Sequence, residues 1–432
     1  MARETQRRPG WSQRPAWIGA GLLLTAGAAV AERPQAQAWI DVATYSGFGM
    51  PGGMAGTGGG SPLSMLGGMF GGGGQTNQFG HTQTGSAGRW VDVTLYARAN
   101  PTLAEAIQTV PAGFLSPALK LQAPAAAPGQ PPDPGDEGVV SEREPERPQG
   151  RLLMYWGCGS TVRPGQPKVL DMAHLSPADL KSFFVSRRAT QRGAHSAAGR
   201  PVWPSREDTR MVPAQASLVG EHAFSGVGVP EGFRFQIPAA QDLMPPLQIQ
   251  QVAQPDGATE LSWSPLPTAR AYFIAAMGSA GEGTQDAVFW TSSELPDTGF
   301  GLMDYQTNPA VDRWLKDKVL LPPASSRCSI PKGVFPAGER GGAMVRAIAY
   351  GSELNLAHPP RPADPKAPWQ PVWAVKLRVK SQTGLVLGMD GRGMGGMGGA
   401  NPAAEAGPAA PAASEPNATG KALNVLKGLF GR

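Results

Sequence analysis

The feature that most constrains this chain is a strict alternation near its C-terminal third. Trp373, Val375, Leu377 and Val379 are interleaved with Ala374, Lys376, Arg378 and Lys380. Successive side chains of a strand point to opposite faces, so period two is a strand signature. An apolar face backed by a charged one belongs to an antiparallel sheet packed on one side, with Lys376, Arg378 and Lys380 turned to water. The same chemistry recurs in short runs separated by turn residues, at Arg151–Trp156, Phe233–Ile237, Leu247–Val252, Thr259–Trp263, Ala271–Met277, Ala287–Thr291 and Met344–Tyr350. A mainly β fold follows.

Two further strands are marked by an echo. Trp39-Ile40-Asp41-Val42-Ala43-Thr44-Tyr45 and Trp90-Val91-Asp92-Val93-Thr94-Leu95-Tyr96 match at W-[IV]-D-V-x-x-Y. Both are rich in β-branched and aromatic residues. They read as related strands forming an antiparallel pair, with the glycine-rich tract 47–88 as a flexible loop between them. Glycine and proline number 58 and 44 of 432 residues, so long segments cannot bury enough apolar area to offset their ordering entropy. Residues 123–149 are such a segment, a proline-rich linker, and 386–432 another, an Ala/Pro tail.

Helices are expected to be few. Asn100 and Pro101 suit a helix start, with Leu103, Ala104 and Ile107 on its apolar side; Ser176-Pro177-Ala178-Asp179 opens a second. Asn308 as cap and Pro309 in the first turn open a third, carrying Val311, Trp314 and Leu315.

The N-terminus sets the compartment. Arg3, Arg7, Arg8 and Arg14 precede an apolar run from Trp17 to Ala31, and two small-x-small patterns follow, Ala29-Val30-Ala31 and Ala36-Gln37-Ala38. This reads as a secretory signal peptide over 1–31, with cleavage after Ala31 or Ala38. The expected location is the bacterial periplasm or beyond. No later run approaches the ~20 apolar residues that span a bilayer. Removing 1–31 leaves 34 basic against 32 acidic side chains, without a dense basic stripe, so a nucleic-acid partner is not expected.

In that setting Cys158 and Cys328 are most simply a disulfide. The competing readings are a thiol nucleophile assembled with His174 and Asp171, and a metal site. The first has no spacing that demands it; the second lacks enough soft ligands. HExxH, the nucleophile elbow, the P-loop and the dinucleotide fingerprint are all missing, so no catalytic residue and no cofactor are expected. Met50, Met54, Met65, Met69, Met394 and Met397 supply thioether pairs that suit Cu(I), although phenylalanines in the same tracts mark them equally as apolar stickers. Leu426, Leu429 and Phe430 fit one face of a short basic C-terminal helix, a weak membrane-surface contact.

Leu261-Ser262-Trp263-Ser264-Pro265 followed by Ala271-Tyr272-Phe273-Ile274 resembles the B and C strands of a fibronectin type III module. Arg346-Ala347-Ile348-Ala349-Tyr350-Gly351 is similar to its F strand. The likeness covers about 245–382, with some fifty residues between the fourth and fifth strands and no tyrosine corner. It implies a β-sandwich built for contact. The expected organisation is therefore a β-rich domain over 32–240 and a fibronectin III-like domain over 241–385 with an insertion at 294–342. The expected role is a non-catalytic envelope scaffold or binder with an envelope or surface partner, Trp314 in the insertion being an interaction residue. An envelope hydrolase of unfamiliar type and a periplasmic copper binder are the alternatives.

Overall fold

The computed structural model describes residues 33–47, 77–84, 86–125, 150–184, 187, 193–281, 284–336, 343–364 and 367–388. The chain begins with β1 (Ala36–Gly47), α1 (His81–Thr84), β2 (Gly88–Ala97), β3 (Glu105–Thr109) and β4 (Ala118–Gln122). It continues through β5 (Arg151–Trp156), β6 (Lys168–Asp171), α2 (Pro177–Phe183), β7 (Val202–Trp203), β8 (Gly220–Ser225) and β9 (Arg234–Ile237). Then come β10 (Ile249–Ala253), β11 (Thr259–Trp263), β12 (Ala271–Ser279), β13 (Ala287–Thr291) and α3 (Asn308–Lys316). The last strands are β14 (Arg327–Ile330), β15 (Met344–Tyr350), β16 (Leu354–His358) and β17 (Trp373–Val386).

A 14-stranded sheet runs in the order β6-β5-β13-β12-β15-β17-β1-β2-β7-β4-β3-β8-β9, with β16 added to β17; β10-β11-β14 form a second, 3-stranded sheet. The echoed strands do pair antiparallel, in a register that sets Asp41 opposite Asp92. β1 also pairs in parallel with β17, and β13 with β5. The boundary expected at 240/241 is therefore crossed twice by ladder hydrogen bonds, and both parts share one sheet.

Alternation decides the layers. Ile40, Val42, Val93, Val375, Leu377, Ala347 and Ile274 lie on one face, in a core cluster with Leu261, Trp263 and Ile330 of the small sheet. The small sheet thus packs on that face, and each Val, Leu or Ile side chain withdrawn from water contributes roughly 1.5–3 kcal/mol. At one end, Leu152, Met154, Phe289 and Phe183 form a separate cluster under α2, whose start is fixed by a capping box between Ser176 and Asp179.

Two helical expectations change. Residues 105–109 form β3, in which Ala106 and Gln108 are buried between β4 and β8 while Glu105, Ile107 and Thr109 face out. Cross-strand pairing overrides a local helical pattern there. Asn308 is not the cap of α3, because Thr307 holds that position without a side-chain bond. The Asn308 amide instead staples the helix to residue 353, accepting from Glu353 N at 2.9 Å and donating to Glu353 O at 2.8 Å.

Candidate functional site

The densest chemistry lies on the other face of the large sheet, where water was expected. Lys376, Arg378 and Lys380 alternate as the sequence requires, but Arg378 is only 5 % exposed and Lys380 2 %. Three segments outside the sheet cross this face: 77–84, 193–200 and the stretch between Asp297 and Thr307. A charge taken out of water persists only if paired and hydrogen-bonded, and each segment brings such partners.

The centre is a row across three neighbouring strands, Arg378 on β17, Asp41 on β1 and Asp92 on β2. Arg378 grips Asp41 with both prongs, Nε to Oδ1 at 2.7 Å and Nη2 to Oδ2 at 2.5 Å. Burial disfavours the guanidinium charge, but Asp41 outweighs it and holds Arg378 above its ordinary value. Asp41 Oδ2 also accepts from Ala194 N at 3.1 Å. A Cβ on Gly193 would lie 1.7 Å from Arg378 Nη2, so the second segment passes over the pair only because residue 193 has no side chain.

Asp92 secures the first segment. Its Oδ1 accepts from Gly80 N at 3.0 Å and its Oδ2 from Thr82 N at 3.2 Å and from the Thr82 hydroxyl. Burial dominates, pushing its carboxyl up to about 7, with Asp41 adding to the rise and the bonds from Thr82 and Gly80 opposing it. Tyr45 donates to Thr82 O at 2.6 Å, a second fastening for the same segment.

The third segment inserts Asp304 and Tyr305. The Tyr305 ring centre is 4.3 Å from both the Arg378 guanidinium and the Lys380 ammonium, a double cation–π contact in a desolvated place. Lys380 Nζ reaches Asp304 Oδ1 at 3.3 Å. Burial opposes the Asp304 charge, yet Lys380 and Arg378 prevail and keep its carboxyl below the usual range. Gln382 donates to Met303 O at 2.6 Å, and the buried Tyr350 hydroxyl donates to Leu302 O. Further along, buried Asp297 pairs with Arg187 at 2.7 Å, and Lys376 with Glu353 at 3.0 Å. At the opposite margin the Arg200 guanidinium lies 5.3 Å from the Trp39 ring and 4.9 Å from that of Tyr96. The network is directed inward: its carboxylates meet cations and backbone amides of the same chain.

Cys158 and Cys328 are joined, with Cα atoms 5.1 Å apart and a sequence separation of 170. The link ties the turn after β5 to β14, so it bridges the two sheets. Around it Gly159 N donates to Ser329 O and Lys332 N to Ser160 O, both at 3.0 Å. Gly157 has φ 92°, and a Cβ there would meet the Arg163 guanidinium at 2.7 Å, which accounts for the glycine before the cysteine. Tyr155 and Trp156 are half-buried. Asp171 and His174 do meet, Oδ2 to Nδ1 at 3.2 Å, but His174 is 84 % exposed and the Cys158 sulfur is committed to the disulfide. Those two residues border a depression of about 230 Å³ with Lys168, Asp179, Ser182 and Phe183.

Trp314, expected as an interaction residue, is 3 % exposed. It packs in a cluster with Phe273, Ile348 and Tyr350. A nine-residue helix on a sheet turns its apolar stripe inward, and tryptophan is the largest part of that stripe. Met50, Met54, Met65, Met69, Met394, Met397, Leu426, Leu429 and Phe430 lie outside the described residues. Among the described residues no set of three or more His, Cys, Asp or Glu side chains is placed to hold a metal, and no helix is long and apolar enough to cross a membrane.

Asp41 and Asp92 carry a signal of this site in the sequence itself. Aspartate is depleted in strands, yet one stands at the centre of both copies of the echo among β-branched and aromatic residues. Comparison with family models, with curated proteins and with solved structures finds no match for this chain.

Proposed function

We propose that this protein is an exported component of the bacterial cell envelope that acts as a non-catalytic scaffold or binding module. The observation that carries the reading is the direction of its chemistry. The buried carboxylates and cations clamp three crossing segments onto one sheet, and the two cysteines tie that sheet to its neighbour. Such a device rigidifies a surface, whereas acid–base chemistry asks for titratable groups that converge on a cleft. The disulfide is compatible with an oxidising compartment.

The fibronectin III-like reading draws support from strand order. β10-β11-β14 face the portion β13-β12-β15-β17, three strands against four, with β14 inside the long stretch between β13 and β15. In this reading the partner is another envelope protein or surface component. Crosslinking in intact cells followed by purification of the full chain tests it. Recovery of a discrete envelope partner is the expected result, and a chain that remains uncrosslinked at every surface tested overturns the binding role.

The hydrolase alternative retains one specific footing, the Asp171–His174 pair beside its depression. Turnover of ester or peptidoglycan substrates that is lost in His174→Ala establishes it in place of the scaffold.

A further inference from the structure

The export reading leaves two bonds at which the leader can be removed, and the residues beside them do not separate the two. Both Ala29-Val30-Ala31 and Ala36-Gln37-Ala38 present small side chains in the required spacing. The sheet separates them. Ala36, Gln37 and Ala38 are the first three residues of β1, opposite Trp373, Ala374 and Val375 on one side and Ala97, Tyr96 and Leu95 on the other. The approach to the strand is bound as well. Gln35 N donates to Pro371 O at 3.4 Å and Ala36 N to Val372 O at 3.1 Å. Gln35 O accepts from Arg98 N at 2.7 Å, and Arg33 O from Arg98 Nη2 at 2.7 Å.

Hydrolysis after Ala38 would damage the fold in three ways. The start of the strand that joins the two parts of the large sheet would be gone, leaving β17 and β2 with unpaired backbone groups at its middle. Ala36 and Ala38, both fully buried in the main core, would leave voids between Leu95, Ala97 and Val375. Trp39 N would become an ammonium inside the sheet, and Trp39 is itself almost wholly buried. An isolated buried ammonium is among the least favourable groups a sheet can contain. Hydrolysis after Ala31 does none of this, because the new terminus precedes the exposed Arg33 and leaves every bond of β1 in place.

We infer that processing occurs at the Ala31–Glu32 bond and that Ala36-Gln37-Ala38 is a strand start with the look of a cleavage signal. The reaction is hydrolysis by a signal endopeptidase. Water adds across the amide, Ala31 keeps the carboxylate and Glu32 takes the ammonium. The inference rests on the export reading, and the test keeps the two apart.

The full chain with its own leader is expressed in a bacterial host, purified from the envelope fraction, and its N-terminus is determined by sequencing and intact mass. A single start at Glu32 is expected. A start at Trp39 in folded, disulfide-linked protein overturns the inference and leaves export standing; an unprocessed Met1 start overturns export itself. In a second arm, Ala31→Leu should accumulate precursor, and a shift of cleavage to Trp39 with normal recovery overturns the inference. In a third, chains made to begin at Glu32 and at Trp39 are unfolded side by side. The shorter chain should fail to fold or show a clearly lower midpoint, and equal midpoints remove the physical ground for the choice.

Discussion

Replacing Asp92 by asparagine should remove one descending component of the pH dependence of stability between about pH 4 and 7. Burial pushes this carboxyl from an ordinary 3.8 up to about 7. The folded chain therefore holds a proton that the unfolded chain has released anywhere between those values. For an acid with a raised folded value, the contribution to stability is fully present below 3.8 and is lost as pH rises through about 7. A rise of about three pH units corresponds to roughly 4 kcal/mol. An asparagine side chain cannot ionise, so that loss disappears. Its amide keeps two of the three Asp92 contacts, Gly80 N–H to oxygen and an amide N–H to the Thr82 hydroxyl, but it cannot accept from Thr82 N. One lost bond of this kind costs about 1 kcal/mol. Asp92→Asn should thus be slightly less stable than the parent at pH 4 and more stable, by up to about 3 kcal/mol, at pH 8. Denaturant unfolding of oxidised protein at a series of pH values, read as the difference between the two chains, isolates the effect because all other titrations cancel. A difference that stays constant from pH 4 to 8 would falsify the assignment of a neutral Asp92 to the folded state.

Other substitutions probe the same framework. Arg378→Met leaves the Asp41 carboxylate buried without its cation and should cost about 3–5 kcal/mol, while adding Asp41→Leu should recover much of it; a double-mutant cycle with no coupling refutes the pairing. Cys158→Ser frees a loop of 170 residues, and the chain-entropy value of about 5 kcal/mol predicts a large fall in unfolding midpoint. The native protein should correspondingly resist thiol alkylation until reduced. His222 is buried, with Nε2 donating to Leu218 O at 2.8 Å and Nδ1 accepting from Gln108 Nε2 at 3.1 Å, and burial lowers its pKa below 6.5. For a base lowered in this way, stability is present above 6.5 and lost as pH falls through the folded value. His222→Leu should flatten that acid limb, and an unchanged limb assigns the acid sensitivity elsewhere.

What this sequence determined by itself was local. Short runs of apolar and β-branched residues bounded by turn chemistry located β5, β11, β13 and β15 to the residue, because a strand's composition and its punctuation are written in consecutive side chains. Ser176 and Asp179 announced α2, since a capping box is closed within four residues. The two cysteines were legible as a pair. Only the tertiary structure decided what lies over the second face of the sheet. The charged side of β17 read as a solvated face, because a pattern of charge and apolarity states which residues share a side but not what covers it. The cover comes from Asp304, Tyr305 and Gly193, between 73 and 185 residues distant from Arg378 in the chain. The same long-range placement buried Trp314, turned 105–109 from helix to strand, and made Ala36 and Ala38 part of the core. Contacts that close over such separations leave no periodic trace in the sequence, because neither partner constrains its own neighbours.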